Sequence, residues 1–238
     1  MATFRFAGAR SRVSTGIPGL DALIEGGLLP GRIYVVSGPP GSGKTTFGVQ
    51  FLAAGAWHGE RGMYVSLLED VENIIYDMTT FSFKVEELIS SGKLLFLDIG
   101  EMLEASAEFP TYKQLLNKIS DQVKFRRVRR LVIDSISAIK FMGSDPKFEK
   151  NQMGEFFRGL QKIGCTTLLL SEMTDPERYL PEHFLAHGVV FLHNFLSDSR
   201  MLRAIQIIKM RGTRHDCNLR RLEITKKGLR VTNLLKSI

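Results

Sequence analysis

Short unbroken runs of Val, Ile and Leu recur along this chain between longer stretches in which apolar residues return every three or four positions. The unbroken runs fall at 33–37, 63–67, 94–97, 131–133, 167–170 and 189–192, and the helical pattern falls at 45–58, 71–81, 112–125 and 148–163. A strand with one face in water alternates apolar and polar residues. Continuous runs therefore predict strands covered by helices on both faces, an α/β fold with a mostly parallel central sheet. Beyond Ser197-Asp198-Ser199 the pattern shortens, and Lys226-Lys227-Gly228 separates apolar stretches at 222–225 and 229–232. This predicts short C-terminal antiparallel strands at a sheet edge. The stretches 101–108 with Pro110, and 173–187 with Pro176 and Pro181, read as surface loops. No repeat or low-complexity linker interrupts residues 1–238, so a single domain is expected.

The first apolar run leads straight into Gly38-Pro39-Pro40-Gly41-Ser42-Gly43-Lys44-Thr45, and a helical pattern follows. Glycines at these positions let the chain fold back so that successive backbone N–H groups face a phosphate, with the positive end of the next helix behind them. The residue types assign Lys44 to the β- and γ-phosphates and Thr45 to Mg²⁺, with Thr46 completing the nucleotide-binding stretch. A second run, 130–133, ends in Asp134. Apolar strands ending in Asp are common, and such a residue alone reads equally well as a cap. Lying about 90 residues after the phosphate loop, Asp134 is expected beside the metal, with Thr45.

Charge is unevenly distributed. Residues 200–238 carry eleven of the 32 Lys and Arg but only Asp216 and Glu223 among acids, a surplus of +9 within a net charge of +7. Such a segment can meet nucleic acid, nucleotide phosphates or an acidic neighbouring subunit. It holds no aromatic residue, so single-stranded DNA would find no stacking platform there and would bind without base preference. The densest basic run, 124–130, reads as a solvated helix end. Cys165 and Cys217 lie far apart without C-x-x-C spacing, which argues against a disulfide framework or metal cluster. No apolar run reaches the roughly 20 residues of a membrane span, and a cytoplasmic protein without membrane contact is expected. His183, His187 and His193 lack the neighbours of a zinc site and read as surface histidines.

The motifs together resemble the KaiC-like branch of the RecA superfamily of ATPases, particularly the single-domain archaeal members sometimes called RadA paralogues. The resemblance runs over nearly the whole chain. It rests on Ser14-Thr15-Gly16-Ile17-Pro18-Gly19-Leu20-Asp21 with Gly26-Gly27, the phosphate loop, Val132-Ile133-Asp134-Ser135, and Lys209-Met210-Arg211-Gly212-Thr213-Arg214-His215. It implies a RecA-like P-loop core in which one strand separates those carrying the loop and the acid. It also implies ATP with Mg²⁺ and assembly into a hexameric ring or filament. Lys209 and Arg211 would then reach the γ-phosphate of a neighbour's nucleotide, where such a finger is worth about 10³–10⁵ in rate. The chain lacks the helix-hairpin-helix domain of recombinases, and His183-Phe184 stand where the clock protein has its phosphorylated Ser-Thr pair.

One departure bears on activity. The family ends the strand after the loop helix in two acids, the first of which activates water, and this chain reads Leu67-Leu68-Glu69-Asp70. Leu68 takes the first acid's place and Glu69 the second's. Glu69 either turns inward as the base or joins Asp70 in capping the next helix. Glu172, at the end of its strand, resembles a γ-phosphate sensor but reads equally as a loop-entry carboxylate. Three functions follow: a slow ATPase regulating an unidentified protein partner, a DNA-binding recombination accessory, and a nucleotide sensor that does not hydrolyse.

Overall fold

The computed structural model describes residues 11–100, 112–140, 146–175, 178–197 and 199–234. The loop expected at 101–110, together with Pro176 and Lys236, lies outside them. The strands are β1 (Ile33–Gly38), β2 (Gly62–Ser66), β3 (Leu94–Asp98), β4 (Arg130–Asp134), β5 (Thr166–Glu172), β6 (Gly188–Ser197), β7 (Arg200–Met210), β8 (Arg220–Thr225) and β9 (Gly228–Leu234). They form one sheet in the order β3-β2-β4-β5-β1-β6-β7-β8-β9. The first six in that order are mutually parallel, and β7, β8 and β9 continue antiparallel. Each of the six unbroken runs falls on a parallel strand, with Leu67 one residue past the end of β2, and β5 separates β1 from β4.

Burial on both faces explains the unbroken runs. Successive residues of β1 enter two different cores. Tyr34 and Val36 pack with Phe47, Phe51 and Ile74 beneath α1 (Lys44–Trp57), α2 (Val71–Met78) and α3 (Val85–Ser90). Ile33 and Val35 pack with Ile119, Phe156 and Leu160 beneath α4 (Tyr112–Arg126) and α6 (Pro146–Ile163). Between these last two lies α5 (Ile136–Lys140), and α7 (Pro181–Leu185) joins the second face. Each such side chain removed from water contributes roughly 1.5–3 kcal/mol.

The differences from the sequence reading have local causes. Helix α2 stops at Met78 rather than Phe81 because the Thr79 and Thr80 hydroxyls donate to the carbonyls of Tyr76 (2.6 Å) and Asp77 (2.7 Å), competing with the helix. Strand β7 spans 11 residues instead of being short. Its arginines and lysine hid its length. Helix α7 lies within a stretch read as loop, and its first residue, Pro181, is the position a helix tolerates. The two-residue turn at Lys226-Lys227 is as expected, with Gly228 at φ 99°.

The segment Ser14–Asp21 braces the fold rather than the site. Asp21 accepts from Ser14 Oγ (2.6 Å), Thr15 Oγ1 (2.6 Å) and Thr15 N–H (2.9 Å). Arg130, read as part of a solvated run, turns inward instead and is 3% exposed. It donates to the carbonyls of Ser14 (2.7 Å) and Phe51 (2.9 Å) and to Glu60 (2.6 Å), and lies over the Phe51 ring. Gly55 permits this, since a Cβ there would overlap the guanidinium. Among the described residues no helix is long and apolar enough to cross a membrane.

Arg130→Ala removes a donor from the Ser14 and Phe51 carbonyls and the partner of Glu60, and should cost about 3 kcal/mol or more. For a chain of this size that is a Tm lower by roughly 6–12 °C in calorimetry. A change within about 2 °C would show that the guanidinium is not what joins Ser14–Asp21 to α1 and the sheet.

Candidate active site

The loop after β1 has the conformation its glycines allow. Gly41 and Gly43 adopt φ of 72° and 99°, and Gly43 caps the N-terminus of α1. A Cβ on Gly38 would lie 2.5 Å from Leu192 O and 2.8 Å from Ser42 Oγ. Lys44 folds back to donate to the carbonyls of Gly38 (2.9 Å) and Pro39 (3.0 Å). Burial lowers its pKa, while the charges of Glu172 and Asp134 act in the opposite direction. Asn194 Nδ2 donates to Pro40 O (3.1 Å) and Arg203 Nε to Gly41 O (3.1 Å), so β6 and β7 brace the loop from outside. Nothing in the local sequence marks Asn194 or Arg203 for this task.

A cavity of about 630 Å³ opens in front of the loop. Pro40, Gly41, Gly43, Lys44, Thr45 and Thr46 line it, with Leu68, Glu69, Asp134, Ser135 and Glu172 opposite. Thr45 Oγ1 donates to Asp134 Oδ2 at 3.2 Å, and the Tyr64 hydroxyl donates to the same oxygen. Burial raises the Asp134 pKa, opposed by the bonds from Tyr64 and Thr45 and by the Lys44 charge. A hydroxyl beside a carboxylate is a hard-oxygen donor pair, the kind that suits a divalent cation next to phosphate. Ser42 Oγ in the loop and Ser135 Oγ beside Asp134 are buried without a protein partner. The residues present thus fit a phosphate and a divalent cation. The sequence reading did not include Tyr64, whose signal is a phenol between Met63 and Val65 in a buried strand.

The two acids after β2 separate. Asp70 caps α2, accepting from Glu72 N–H at 2.7 Å. Glu69 faces the cavity, where burial raises its pKa and the charges of Asp134 and Asp77 raise it further. Leu68 also lines the cavity and is 70% exposed. Glu172 stands beside Gly38 in the β1/β5 register, and its N–H donates to Ser137 Oγ at 2.9 Å. Asp77, one helical turn below Ile74 on α2, lines the same wall and was not anticipated.

Lys209 and Arg211 lie elsewhere. Lys209 pairs with Val189, which pairs with Val35, and the Arg211 N–H donates to His187 O, level with Ile33. At about 3.3 Å per residue, Arg211 lies about 17 Å and Lys209 about 10 Å back along β1 from Gly38. Their side chains donate to carbonyls of α7. Other cations of the basic C-terminal segment are also engaged: Arg220 with Asp216, Arg221 and Arg230 with Glu223, and Arg203 with the loop. Asp216 and Glu223 are already subtracted in the +9 surplus, so the fold leaves that net charge in place and turns Lys209, Arg211 and Arg203 onto backbone carbonyls. The three histidines are not surface residues as expected: His183 is 3% exposed, and His187 and His193 are half-buried.

A model of the family described as ATPase: KaiC matches residues 13–236. The chain belongs to the KaiC family. It is therefore an ATP-binding member of the RecA superfamily of ATPases, a family that uses ATP with a divalent metal. A UPF0273 protein of Thermotoga maritima is 31% identical over 230 residues, 92% of this chain and 94% of that protein. The circadian clock protein KaiC3 of Synechocystis is 32% identical over 212 residues, 86% of this chain and 42% of its own length. The chain thus spans about two-fifths of the clock proteins it matches. The crystal structure of a KaiC-like protein from Pyrococcus horikoshii is 32% identical, with a TM-score of 0.83 covering 94% of this chain and all of that one.

The half-buried histidines generate a pH prediction. His187 has its pKa lowered by burial and by the charges of Arg32, Arg211 and Lys209, and burial also lowers that of His193. Below the ordinary value of about 6.5 the unfolded chain binds more protons, so stability falls as pH falls through that value. Tm should drop between pH 7.5 and 5.5. His187→Asn keeps an acceptor within reach of the Ile33 N–H and should flatten the slope. An equally steep slope in that variant would assign the effect to other groups.

Proposed function

We propose that this KaiC-family chain binds Mg²⁺·ATP at interfaces between copies of itself, hydrolyses it slowly, and uses nucleotide state to regulate a protein partner. The observation that carries the reading is the division of the family's site residues between two ends of one strand. The phosphate loop, Thr45, Asp134, Glu69 and Glu172 gather around the cavity, whereas Lys209 and Arg211 lie level with Val35 and Ile33, about 10 and 17 Å back along β1 from Gly38. Neither side chain can reach its own cavity, and a neighbour in a ring or filament supplies a second cavity for them.

In the bound state Lys44 exchanges its two carbonyl partners for β- and γ-phosphate oxygens. The N–H groups of 41–46 and the start of α1 meet the remaining negative charge. Thr45 and Asp134 would hold Mg²⁺, which supplies charge neutralisation across the β- and γ-phosphates. Glu69 accepts a proton from the water that attacks the γ-phosphorus, as the bond to the β–γ bridging oxygen breaks. Lys209 and Arg211 of the neighbour stabilise the transferring group. Leu68 accepts no proton, and general-base help is worth about 10²–10⁴-fold. Turnover is slow because Glu69 works alone from the second position.

Two experiments test this. Lys44→Ala should abolish ATP binding, and Arg211→Ala should abolish hydrolysis, while mixing the two proteins restores sites with one intact contribution from each chain. A protein that remains strictly monomeric with Mg²⁺·ATP in light scattering would refute the shared site. Leu68→Glu should raise turnover, and Glu69→Gln should remove most of the wild-type rate. Wild-type hydrolysis that ignores Glu69→Gln would move the base to Glu172, and no hydrolysis in any variant would make the protein a nucleotide sensor.

A further inference from the structure

Helix α7 stands behind the site and grips both strands that form its floor. Its Glu182 and His183 side chains are 0% and 3% exposed. Ser171 Oγ donates to Glu182 Oε1 at 2.9 Å, and Ser37 Oγ lies 2.8 Å from His183 Nε2. The Leu180 N–H donates to His183 Nδ1 at 3.0 Å. A backbone amide can only donate, so Nδ1 is the acceptor, the ring proton sits on Nε2, and Ser37 accepts it. Ser37 and Ser171 are register partners on β1 and β5. One residue further on are Gly38, where the phosphate loop begins, and Glu172.

The other end of α7 is held by the two cations. Lys209 Nζ donates to His183 O (2.8 Å) and Phe184 O (3.1 Å), and Arg211 Nη2 donates to Phe184 O (3.0 Å). These donors are the ones the proposed interface needs. A phosphate and these carbonyls compete for the same N–H groups, and a cation is attracted more strongly to a charged phosphate than to a neutral carbonyl. Contact with a neighbour's ATP would therefore draw the cations off α7. The two buried bonds would not part in compensation, because each would leave a polar group unpaired out of water.

We propose that Glu182 and His183 are positioning residues that set the phosphate loop and Glu172 according to whether Lys209 and Arg211 hold α7 or a neighbour's ATP. This rests on the shared-site reading of Lys209 and Arg211 given above. Adjacent sites are then coupled: ATP in one site changes the loop of the chain that touches it. Couplings of this kind change affinity by about 5–150-fold.

The test uses the full chain in its assembled state, with ATP turnover measured against ATP concentration and equilibrium binding of a slowly hydrolysed ATP analogue. Wild type should show a Hill coefficient above one. Ser37→Ala with Ser171→Ala removes both hydroxyls and leaves α7 and the cavity lining intact. It should bring the Hill coefficient to one and lower kcat about tenfold, with the assembly's mass unchanged. Ser37→Thr with Ser171→Thr keeps the hydroxyls and should restore both values, which a loss of packing alone would not allow. If the double alanine variant does not fold, Ser171→Ala alone should lower the Hill coefficient and kcat while the His183 bond remains. Failure of the Lys44→Ala and Arg211→Ala proteins to complement would bring down the shared site and this proposal together. Complementation with an unchanged Hill coefficient and kcat in the alanine variants would overturn this proposal alone.

Discussion

A half-buried carboxylate at the mouth of the cavity organises this molecule. Asp134 ends β4, and its charge is tolerable there only because Tyr64, Thr45 and Lys44 converge on it. They come from two elements: Tyr64 from β2, and Lys44 and Thr45 from the first turn of α1, where the phosphate loop ends. Parallel pairing of β2 with β4, of β4 with β5 and of β5 with β1 brings these elements to one edge of the sheet. The same alignment delivers Glu172 beside Gly38. Misplacing any of these strands by one residue would turn its side chain to the opposite core and leave the carboxylate unpartnered. Folding and site assembly are therefore one requirement.

Legibility in the sequence followed the kind of interaction involved. The parallel strands were visible because burial on both faces demands unbroken apolar runs, and the phosphate loop because its glycines are sterically obligatory. The pairing of Thr45 with Asp134 followed once those two features were placed. Side chains serving through tertiary contact left no such trace. Arg130 belongs to a basic run and yet lies beneath α1, and Arg203 sits in a cationic segment and yet holds Gly41 O. His183 was read as a surface residue because composition cannot show that Ser37, 146 positions earlier, is its partner. Strand β7 was read as short because its outward positions are cationic, and a half-covered antiparallel strand loses the continuous apolar signature.

The basic C-terminal segment shows why net charge is a poor guide to partners. Asp216 and Glu223 each attract arginines of the same strands, and Lys209 and Arg211 are turned onto α7. Part of a surplus that reads as a polyanion-binding surface along the chain becomes, once folded, a set of local clamps. Two of these clamps bind neutral carbonyls, weaker partners than phosphate. Under the proposed shared site that imbalance gives Lys209 and Arg211 a reason to change partners, whereas Arg220 and Arg230, already matched to carboxylates, have none.

The separation of Glu69 from Asp70 follows from helix capping. An N-cap acid must lie just before the helix with its side chain turned back to the N–H groups of the first turn, and Asp70 meets that requirement at Glu72. The residue before it is free of that duty, and its side chain points across the end of β2 into the cavity. Position 68 lies one step earlier, and Leu68 reaches the same cavity from a largely exposed place. Both positions therefore have access to the water side of the phosphates, and only one carries an acid. Among the described residues of the chain, Asp77 adds a further negative charge to that wall. This charge, with that of Asp134, favours the protonated form of Glu69. A carboxyl so placed is a stronger base than an ordinary glutamate once ionised. In the proposed mechanism a divalent cation held by Thr45 and Asp134 would offset that charge and make Glu69 easier to ionise.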